Sequence, residues 1–194
     1  MWQNRFRKLP WITGLLITAV GSLFWLAPRG SVYFDRLLLT KADIPELLRY
    51  ITGQFLHIEP QHLLWNLLAL AISGMLIEAR SRMLLLSSLF AGILAVAIWF
   101  TLETRFDYYA GISGALNALF VTAIYCLFDD RKLLSTHNLA IAIIFLIYLG
   151  KNAFELATGT AAFNNLEWSI TPGAHISGMV AGVICIGIYR ATKG

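Results

Sequence analysis

A serine and a histidine stand at the start of two apolar segments of this sequence, where polar side chains are rare. Ser113 lies in Gly-Ile-Ser-Gly, and His175 lies in Ala-His-Ile-Ser-Gly. Polar and ionisable groups at membrane depth are costly in hydrocarbon, so they usually face a cavity and mark a site. A serine hydroxyl becomes a nucleophile when a base accepts its proton, and neutral imidazole can be that base near neutral pH. The two residues therefore indicate hydrolysis within a membrane.

Three donors in the sequence are candidates for stabilising the oxyanion of such a reaction. A tetrahedral intermediate needs preorganised hydrogen-bond donors. The side-chain amide of Asn66 and the backbone N–H of Ser113, close to a helix start, are suited to this role, and His62 can also donate. Asn66 follows His62 by one helical turn, so both residues lie on one face.

Asn117 is a candidate partner for the histidine. It lies one helical turn after Ser113 on the same face, beneath the place where His175 must dock. Its amide oxygen would accept a hydrogen bond from the ring nitrogen of His175 that does not face Ser113, which fixes the tautomer. The alternative is that Asn117 holds a water molecule in a polar cavity.

The segments that carry these residues are typical of membrane helices. Hydrophobic residues make up 58% of the 194-residue chain and charged residues 13%, and the mean hydropathy is +0.67. Six apolar segments predict an all-α, polytopic bundle of six spans that forms a single domain over residues 1–194. The segments cover residues 11–27, 62–77, 83–102, 111–128, 139–156 and 173–189.

Basic residues predict how the bundle is oriented in the bilayer. They are Arg5, Arg7, Lys8, Arg80, Arg82, Arg131, Lys132, Arg190 and Lys193, whereas the connection 157–172 has neither Lys nor Arg. By the positive-inside rule both termini are cytoplasmic, so spans two, four and six enter from the outside. At about 1.5 Å per residue, Ser113, His175 and His62 then lie at nearly equal depth, recessed below the outer surface. A hydrophilic cavity open to the outside is expected there.

The same composition excludes other classes of function. The net charge of +4 comes from short basic clusters beside apolar runs, so nucleic-acid binding is excluded. Cys126 and Cys185 lack metal-ligand spacing and are interpreted as packing residues, and no metal or other cofactor is expected. The first span lacks a small-residue cleavage pattern and is interpreted as a retained anchor.

Two further sets of residues have simpler interpretations. Lys151 and Glu155 are four residues apart toward the outer end of span five. They are expected to pair with each other, or the lysine to snorkel, rather than to contact a substrate. An interfacial aromatic belt is predicted for Trp65, Tyr108, Tyr109 and Trp168.

Three motifs together make the chain resemble the rhomboid family of intramembrane serine proteases. They are F-L-H-I-E-P-Q-H-L-L-W-N with His57, His62 and Asn66, then G-I-S-G at 111–114, then A-H-I-S-G-M-V-A-G at 174–182. The resemblance implies a Ser113–His175 dyad without an aspartate, no cofactor, and cleavage of membrane-anchored protein substrates in the lipid bilayer. It also implies an oxyanion hole formed by Asn66, His62 and the Ser113 backbone.

The resemblance extends to the loops and to one branch of the family. It implies that the outer segment 28–61 is a partly membrane-embedded loop and that span five is a lateral gate. The stretch L-L-R-Y-I-T-G-Q-F-L-H at 47–57 is similar to the bacterial rhombosortase branch, whose members process C-terminal Gly-Gly sorting tails. A bacterial inner membrane with the site open to the periplasm or exterior is the implied location. The sequence departs from the family at Leu48, where Trp is common, and at Asn117, where an aromatic residue or His is common.

Two other classes of protein are alternatives. A catalytically silent rhomboid-like scaffold would bind membrane clients with the same fold, but it has no need of both Ser113 and His175. A small transporter also lines a cavity with polar residues, but it typically places them near mid-membrane on broken helices. Labelling of Ser113 by an activity probe separates the enzyme from both.

Overall fold

The computed structural model describes residues 9–41, 47–128, 133–162 and 171–192, and most of these residues are helical. In chain order the elements are α1 (Trp11–Leu26), α2 (Val32–Leu37), β1 (Leu39–Thr40), α3 (Arg49–Phe55), α4 (Pro60–Arg80), α5 (Arg82–Leu102), β2 (Tyr108–Tyr109), α6 (Ser113–Leu127), α7 (Thr136–Thr158) and α8 (Pro172–Ala191). Some of the residues from which the topology and the aromatic belt were predicted lie outside the described residues. They are Arg5, Arg7, Lys8, Arg131, Lys132, Trp168 and Lys193.

Six of the helices coincide with the six predicted spans. Helices α4, α5, α7 and α8 are long and apolar enough to cross a membrane, and α1 and α6 are shorter apolar helices. The 15 residues of α6 extend about 22 Å, which is less than a hydrocarbon core of about 30 Å. The described chain is therefore an all-α, multi-pass membrane bundle, as predicted, and α6 is shorter than the core that it would have to cross.

Local sequence explains where the long helices begin and end. Ser81 and Ser135 cap α5 and α7, because each side chain accepts a hydrogen bond from a backbone N–H of the first turn. Pro60 and Pro172 open α4 and α8, at a position where the missing N–H of proline costs nothing. Gly159 ends α7 with a φ of 68°.

A buried carboxylate joins the start of α1 to the end of α4. The backbone N–H groups of Ile12 and Thr13 donate to the carboxylate of Glu78 at 3.2 and 2.9 Å, and the Thr13 hydroxyl donates at 2.8 Å. The first N–H groups of a helix have no partner within the helix and attract negative charge. Glu78 therefore caps α1 and fixes the two helices in opposite directions.

Helix α6 lies at the centre of the bundle, and α8 packs closely against it. A Cβ atom at Gly178 would overlap the carbonyl oxygen of Gly114, and one at Gly182 would lie 2.7 Å from the carbonyl oxygen of Ala118. Small residues allow helix backbones to approach in this way. This close packing at the two glycines sets the position of the start of α8.

The outer segment between α1 and α4 folds against the side of the bundle. Gln54 of α3 is fully buried, and its amide donates to the carbonyl oxygen of Ile93 in α5 at 2.9 Å. Strand β1 pairs with β2 antiparallel, with Leu39 opposite Tyr109. The segment is thus anchored by Gln54 and by main-chain pairing, although Leu48 stands where the family commonly has Trp.

Helix α7 lies at the periphery and makes its buried contacts chiefly through polar residues. Its buried residues are Asn138, Ile141, Asn152 and Glu155. Its exposed side chains include Ile143, Ile144, Leu146 and Ile147. An apolar outer face and a polar inner face are what a helix needs between lipid and a polar cavity.

Candidate active site

Four helices surround a cavity of about 640 Å³. The N-terminal ends of α4, α6 and α8 meet there, as predicted for spans two, four and six, and the C-terminal half of α7 closes another side. Its polar lining includes His62, Asn66, Ser113, Asn117, Tyr148, Lys151, Glu155 and His175. All five residues that the sequence nominated for a site therefore face one cavity.

The side chains of Ser113 and His175 meet across the packed helices α6 and α8. The distance from Ser113 Oγ to His175 Nε2 is 3.2 Å, and His175 is 7% exposed. Gly111 precedes the serine with a φ of 115°, a conformation that favours glycine. A Cβ atom at Gly111 would lie 2.8 Å from Cε1 of His62. The turn before α6 thus depends on glycine, because it packs against His62, and it places Ser113 opposite His175.

The other ring nitrogen of His175 faces a carboxylate. Nδ1 of His175 lies 3.2 Å from Oε2 of Glu155, and Nζ of Lys151 lies 2.7 Å from the same oxygen. The predicted pairing of Lys151 with Glu155 is confirmed. The sequence did not predict the contact of Glu155 with His175, because only the spacing of Lys151 and Glu155 along one helix was considered. The position of this charged pair near the outer end of span five, the end at which the site was expected, could have indicated the contact.

Asn117 makes no hydrogen bond with His175, so the predicted hydrogen bond between them is wrong. Its Nδ2 donates to the carbonyl oxygen of Ser113 at 2.7 Å, and its Oδ1 accepts from the hydroxyl of Tyr148. The amide is thus satisfied by its own helix and by α7. The ring nitrogen that it was expected to meet is occupied by Glu155 instead.

A second histidine holds the side-chain amide of Asn66. Nδ1 of His57 lies 3.1 Å from the carbonyl oxygen of Phe55, so this nitrogen carries the ring proton and donates it. Nε2 of His57 then accepts from Nδ2 of Asn66 at 2.8 Å. Burial lowers the pKa of His57 to about 3, with a smaller contribution from charge repulsion by His62, so the ring is neutral. One amide hydrogen of Asn66 is engaged, and the other is left for the cavity.

Tyr109 has a different place from the one predicted for it. It is 2% exposed within the protein rather than at a lipid interface, and burial raises its pKa to about 12. A Cβ atom at Gly114 would lie 2.9 Å from its hydroxyl oxygen, so the phenol packs against the first turn of α6. Its neighbour Tyr108 is 44% exposed and Trp65 is 52% exposed, and both also line the cavity.

The polar groups of this cavity are arranged for proton transfer. Across the described ranges, no cluster of three or more His, Cys, Asp or Glu residues could hold a metal ion. The nitrogens of His175 face a hydroxyl on one side and a carboxylate on the other. Such an arrangement is able to accept a proton from Ser113 while keeping the imidazole in one orientation.

Comparison with known proteins gives two matches. Residues 45–192 match the family described as the rhomboid domain. The chain is also similar to the rhomboid-like protein 11, chloroplastic, of Arabidopsis thaliana, with 28% identity over 148 residues. That match covers 74% of this chain and 53% of the plant protein, so the chain spans about half the length of that relative. Every cavity residue described above lies within the range 45–192.

Proposed function

Because the chain belongs to the rhomboid family, we propose that it is an intramembrane serine endopeptidase. The observation that carries the proposal is the 3.2 Å approach of Ser113 Oγ to His175 Nε2 within a polar cavity of a membrane bundle. A silent scaffold of the same fold would not require these two side chains to meet. The substrates are proteins whose cleaved segment lies in or at the membrane.

The first half of the reaction forms an acyl-enzyme. The Ser113 hydroxyl proton passes to Nε2 of neutral His175 as Oγ bonds to the scissile carbonyl carbon, whose oxygen becomes an oxyanion. The tetrahedral intermediate then collapses, the C–N bond breaks, and the leaving amine takes the proton from Nε2. The result is an ester on Ser113 and a released amine.

Water completes the reaction by the same proton path. A water molecule gives one proton to Nε2 of His175 as its oxygen bonds to the ester carbon. Collapse of this second intermediate breaks the bond to Ser113 Oγ, which takes the proton back. A carboxylic acid leaves and the enzyme is regenerated. The recessed, polar cavity gives water access to a bond that would otherwise lie in hydrocarbon.

Three donors stabilise the oxyanion in this proposal. The contact of Asn66 with His57 fixes the orientation of the Asn66 amide, whose second hydrogen is free to donate to the oxyanion. The backbone N–H of Ser113 belongs to the first turn of α6, where N–H groups have no partner within the helix. His62 lines the same cavity as a third donor. Donors fixed before the reaction need no rearrangement when the charge develops.

The proposal extends to substrate type and location. The similarity of segment 47–57 to rhombosortases favours C-terminal Gly-Gly tails as one substrate class, with ordinary transmembrane segments as the other. The proposed location is a bacterial inner membrane, with the cavity open to the periplasm or exterior and both termini in the cytoplasm. Comparing cleavage of a Gly-Gly-tailed protein with that of a conventional transmembrane substrate decides between the two substrate classes.

Substitution of the two reacting residues tests the proposal. Ser113→Ala and His175→Ala are each expected to abolish proteolysis in proteoliposomes while the variants still insert and melt as the parent does, because the two side chains act as one unit. A serine-directed fluorophosphonate should label the parent and not Ser113→Ala. Equal labelling of the parent and Ser113→Ala would refute the assignment.

A further inference from the structure

The carboxylate of Glu155 meets the base of the proposed reaction from the side opposite the serine. Its Oε2 lies 3.2 Å from His175 Nδ1, while Nε2 of the same ring lies 3.2 Å from Ser113 Oγ. We propose that Glu155 is a positioning residue for His175, so that Ser113, His175 and Glu155 form a triad whose acid is supplied by α7. This inference rests on the proposed peptidase function and adds a residue to it.

The geometry gives the carboxylate a definite task. A carboxylate oxygen only accepts hydrogen bonds, so the nitrogen facing Glu155 must carry the ring proton. Nε2 then presents its lone pair to the hydroxyl of Ser113, which is the tautomer a general base requires. When Nε2 takes the serine proton, the ring becomes positively charged between two fixed partners. Glu155 stabilises that charge in a buried setting, where it is 3% exposed.

Two other contacts hold the carboxylate in place. Nζ of Lys151 donates to Oε2 at 2.7 Å, and the backbone N–H of Ala162 donates to Oε1 at 3.3 Å. A buried charge is costly unless it is paired and hydrogen-bonded, and these donors supply the pairing. They also engage both oxygens, so the carboxylate cannot rotate away from His175 without losing a partner.

A purely structural ion pair does not account for this arrangement. A lysine near the end of a span can reach the interface alone, and the exposed face of α7 is apolar. Glu155 is instead among the few buried residues of α7 and points into the cavity. Tyr148, two turns earlier on the same face, donates to Asn117, which is bonded to the carbonyl oxygen of Ser113. Helix α7 thus contacts the base through one side chain and the serine helix through another.

Glu155→Gln is the sharpest test, because it changes the chemistry and keeps the shape. The glutamine amide has two orientations, and in each its NH₂ group faces a hydrogen-bond donor instead of accepting from it. In one orientation the donors are Nδ1–H of His175 and the Lys151 ammonium, and in the other the donor is the N–H of Ala162. Replacing the acid of a serine protease triad by its amide costs about 10⁴-fold in turnover. We expect a loss of about 10²-fold or more here, since Lys151 already offsets part of the charge.

The experiment measures kcat and KM on a transmembrane substrate, the rate constant for fluorophosphonate labelling of Ser113, and the melting temperature in detergent. Glu155→Gln should lower both kcat and the labelling rate, with little change in KM. Glu155→Asp keeps the negative charge, so its kcat and labelling rate should lie between those of Glu155→Gln and the parent. Asp35→Asn is the control, because Asp35 is an exposed carboxylate on α2 that does not line the cavity. It should label at the parental rate.

Several results would overturn the triad. The triad is refuted if Glu155→Gln has the kcat and labelling rate of the parent. It is also refuted if Glu155→Asp has no higher kcat and labelling rate than Glu155→Gln while the two variants melt at the same temperature. If Glu155→Gln does not fold, a folded Glu155→Asp with parental kcat and labelling would also refute a positioning role. A parent that shows no Ser113-dependent labelling would overturn both the proposed function and the triad, whereas normal parental labelling with an unaffected Glu155→Gln rejects the triad alone.

Discussion

At the scale of single residues, Asn66 shows how the proposed oxyanion donor is fixed before substrate arrives. Its amide is held at 2.8 Å by His57, which is itself held by the carbonyl oxygen of Phe55 at 3.1 Å. Because the pKa of His57 is about 3, the ring remains a neutral acceptor throughout the pH range in which proteases of this kind would be assayed. The pair therefore behaves as one preorganised unit.

Removing this unit should lower turnover more than it weakens binding. We expect Asn66→Ala to reduce kcat about 10²-fold, the usual effect of losing one oxyanion donor, with a smaller change in KM. His57→Phe should reduce kcat less, because the amide remains but is free to turn. The double variant should be no slower than Asn66→Ala alone, since both substitutions act through one amide. Additive losses in a steady-state cleavage assay would show that His57 acts separately, and an unchanged kcat in Asn66→Ala would remove it from the oxyanion hole.

At the scale of elements, the contact between α6 and α8 decides whether the serine and the histidine can meet. Gly178 lies one turn after His175, and a Cβ there would overlap the carbonyl oxygen of Gly114, the residue after Ser113. Any side chain at position 178 must push the start of α8 away from the start of α6. The distance between Oγ and Nε2, already 3.2 Å, would then increase.

Gly178→Ala should therefore damage activity and stability together. We expect a loss of about 10²-fold in kcat, since a displacement of about 1 Å has this effect on a reacting pair. Overpacking should also lower the free energy of unfolding by about 1–3 kcal/mol. Gly187→Ala on the same helix is the control, because a Cβ there meets no atom within 4 Å. Cleavage rates and melting curves of the two variants check this, and parental activity in Gly178→Ala would contradict close packing as the source of the geometry.

The elements also show what a sequence can and cannot predict here. Hydropathy located the six apolar helices, and the rise per residue along them placed Ser113 and His175 at nearly one depth. Hydropathy does not fix the rotation of a helix about its axis. The rotation of α7 turns Glu155 toward His175, and that of α6 turns Asn117 toward Tyr148, so the second partner of His175 was assigned to the wrong helix. The prediction that Tyr109 lies at the membrane interface failed for a related reason. A tyrosine close to the end of a helix can lie at the interface or in the protein core, and the sequence around it does not distinguish the two.

At the scale of the whole molecule, the polar cavity and the basic residues Arg80, Arg82 and Arg190 lie at opposite ends of the bundle. Arg80, at the end of α4, donates to the carbonyl oxygen of Cys126 near the end of α6 at 3.4 Å. The ring of Tyr125 also contacts that of Tyr189, near the end of α8, with centroids 6.4 Å apart. These C-terminal ends are remote from the N-terminal ends that line the cavity. The positive-inside rule then predicts that the cavity opens away from the cytoplasm.

Single cysteines at the two ends test this orientation. Thr104 follows α5 at the cavity end and is exposed, and Leu134 precedes α7 at the opposite end and is also exposed. In intact cells a membrane-impermeant maleimide should label Thr104→Cys and not Leu134→Cys, and both should react after permeabilisation. The parent is a suitable background, because Cys126 and Cys185 are only 5% and 8% exposed and should stay unlabelled. The reverse pattern in intact cells would place the cavity on the cytoplasmic side, and the proposed substrates would then have to present their cleaved bond from within the cell.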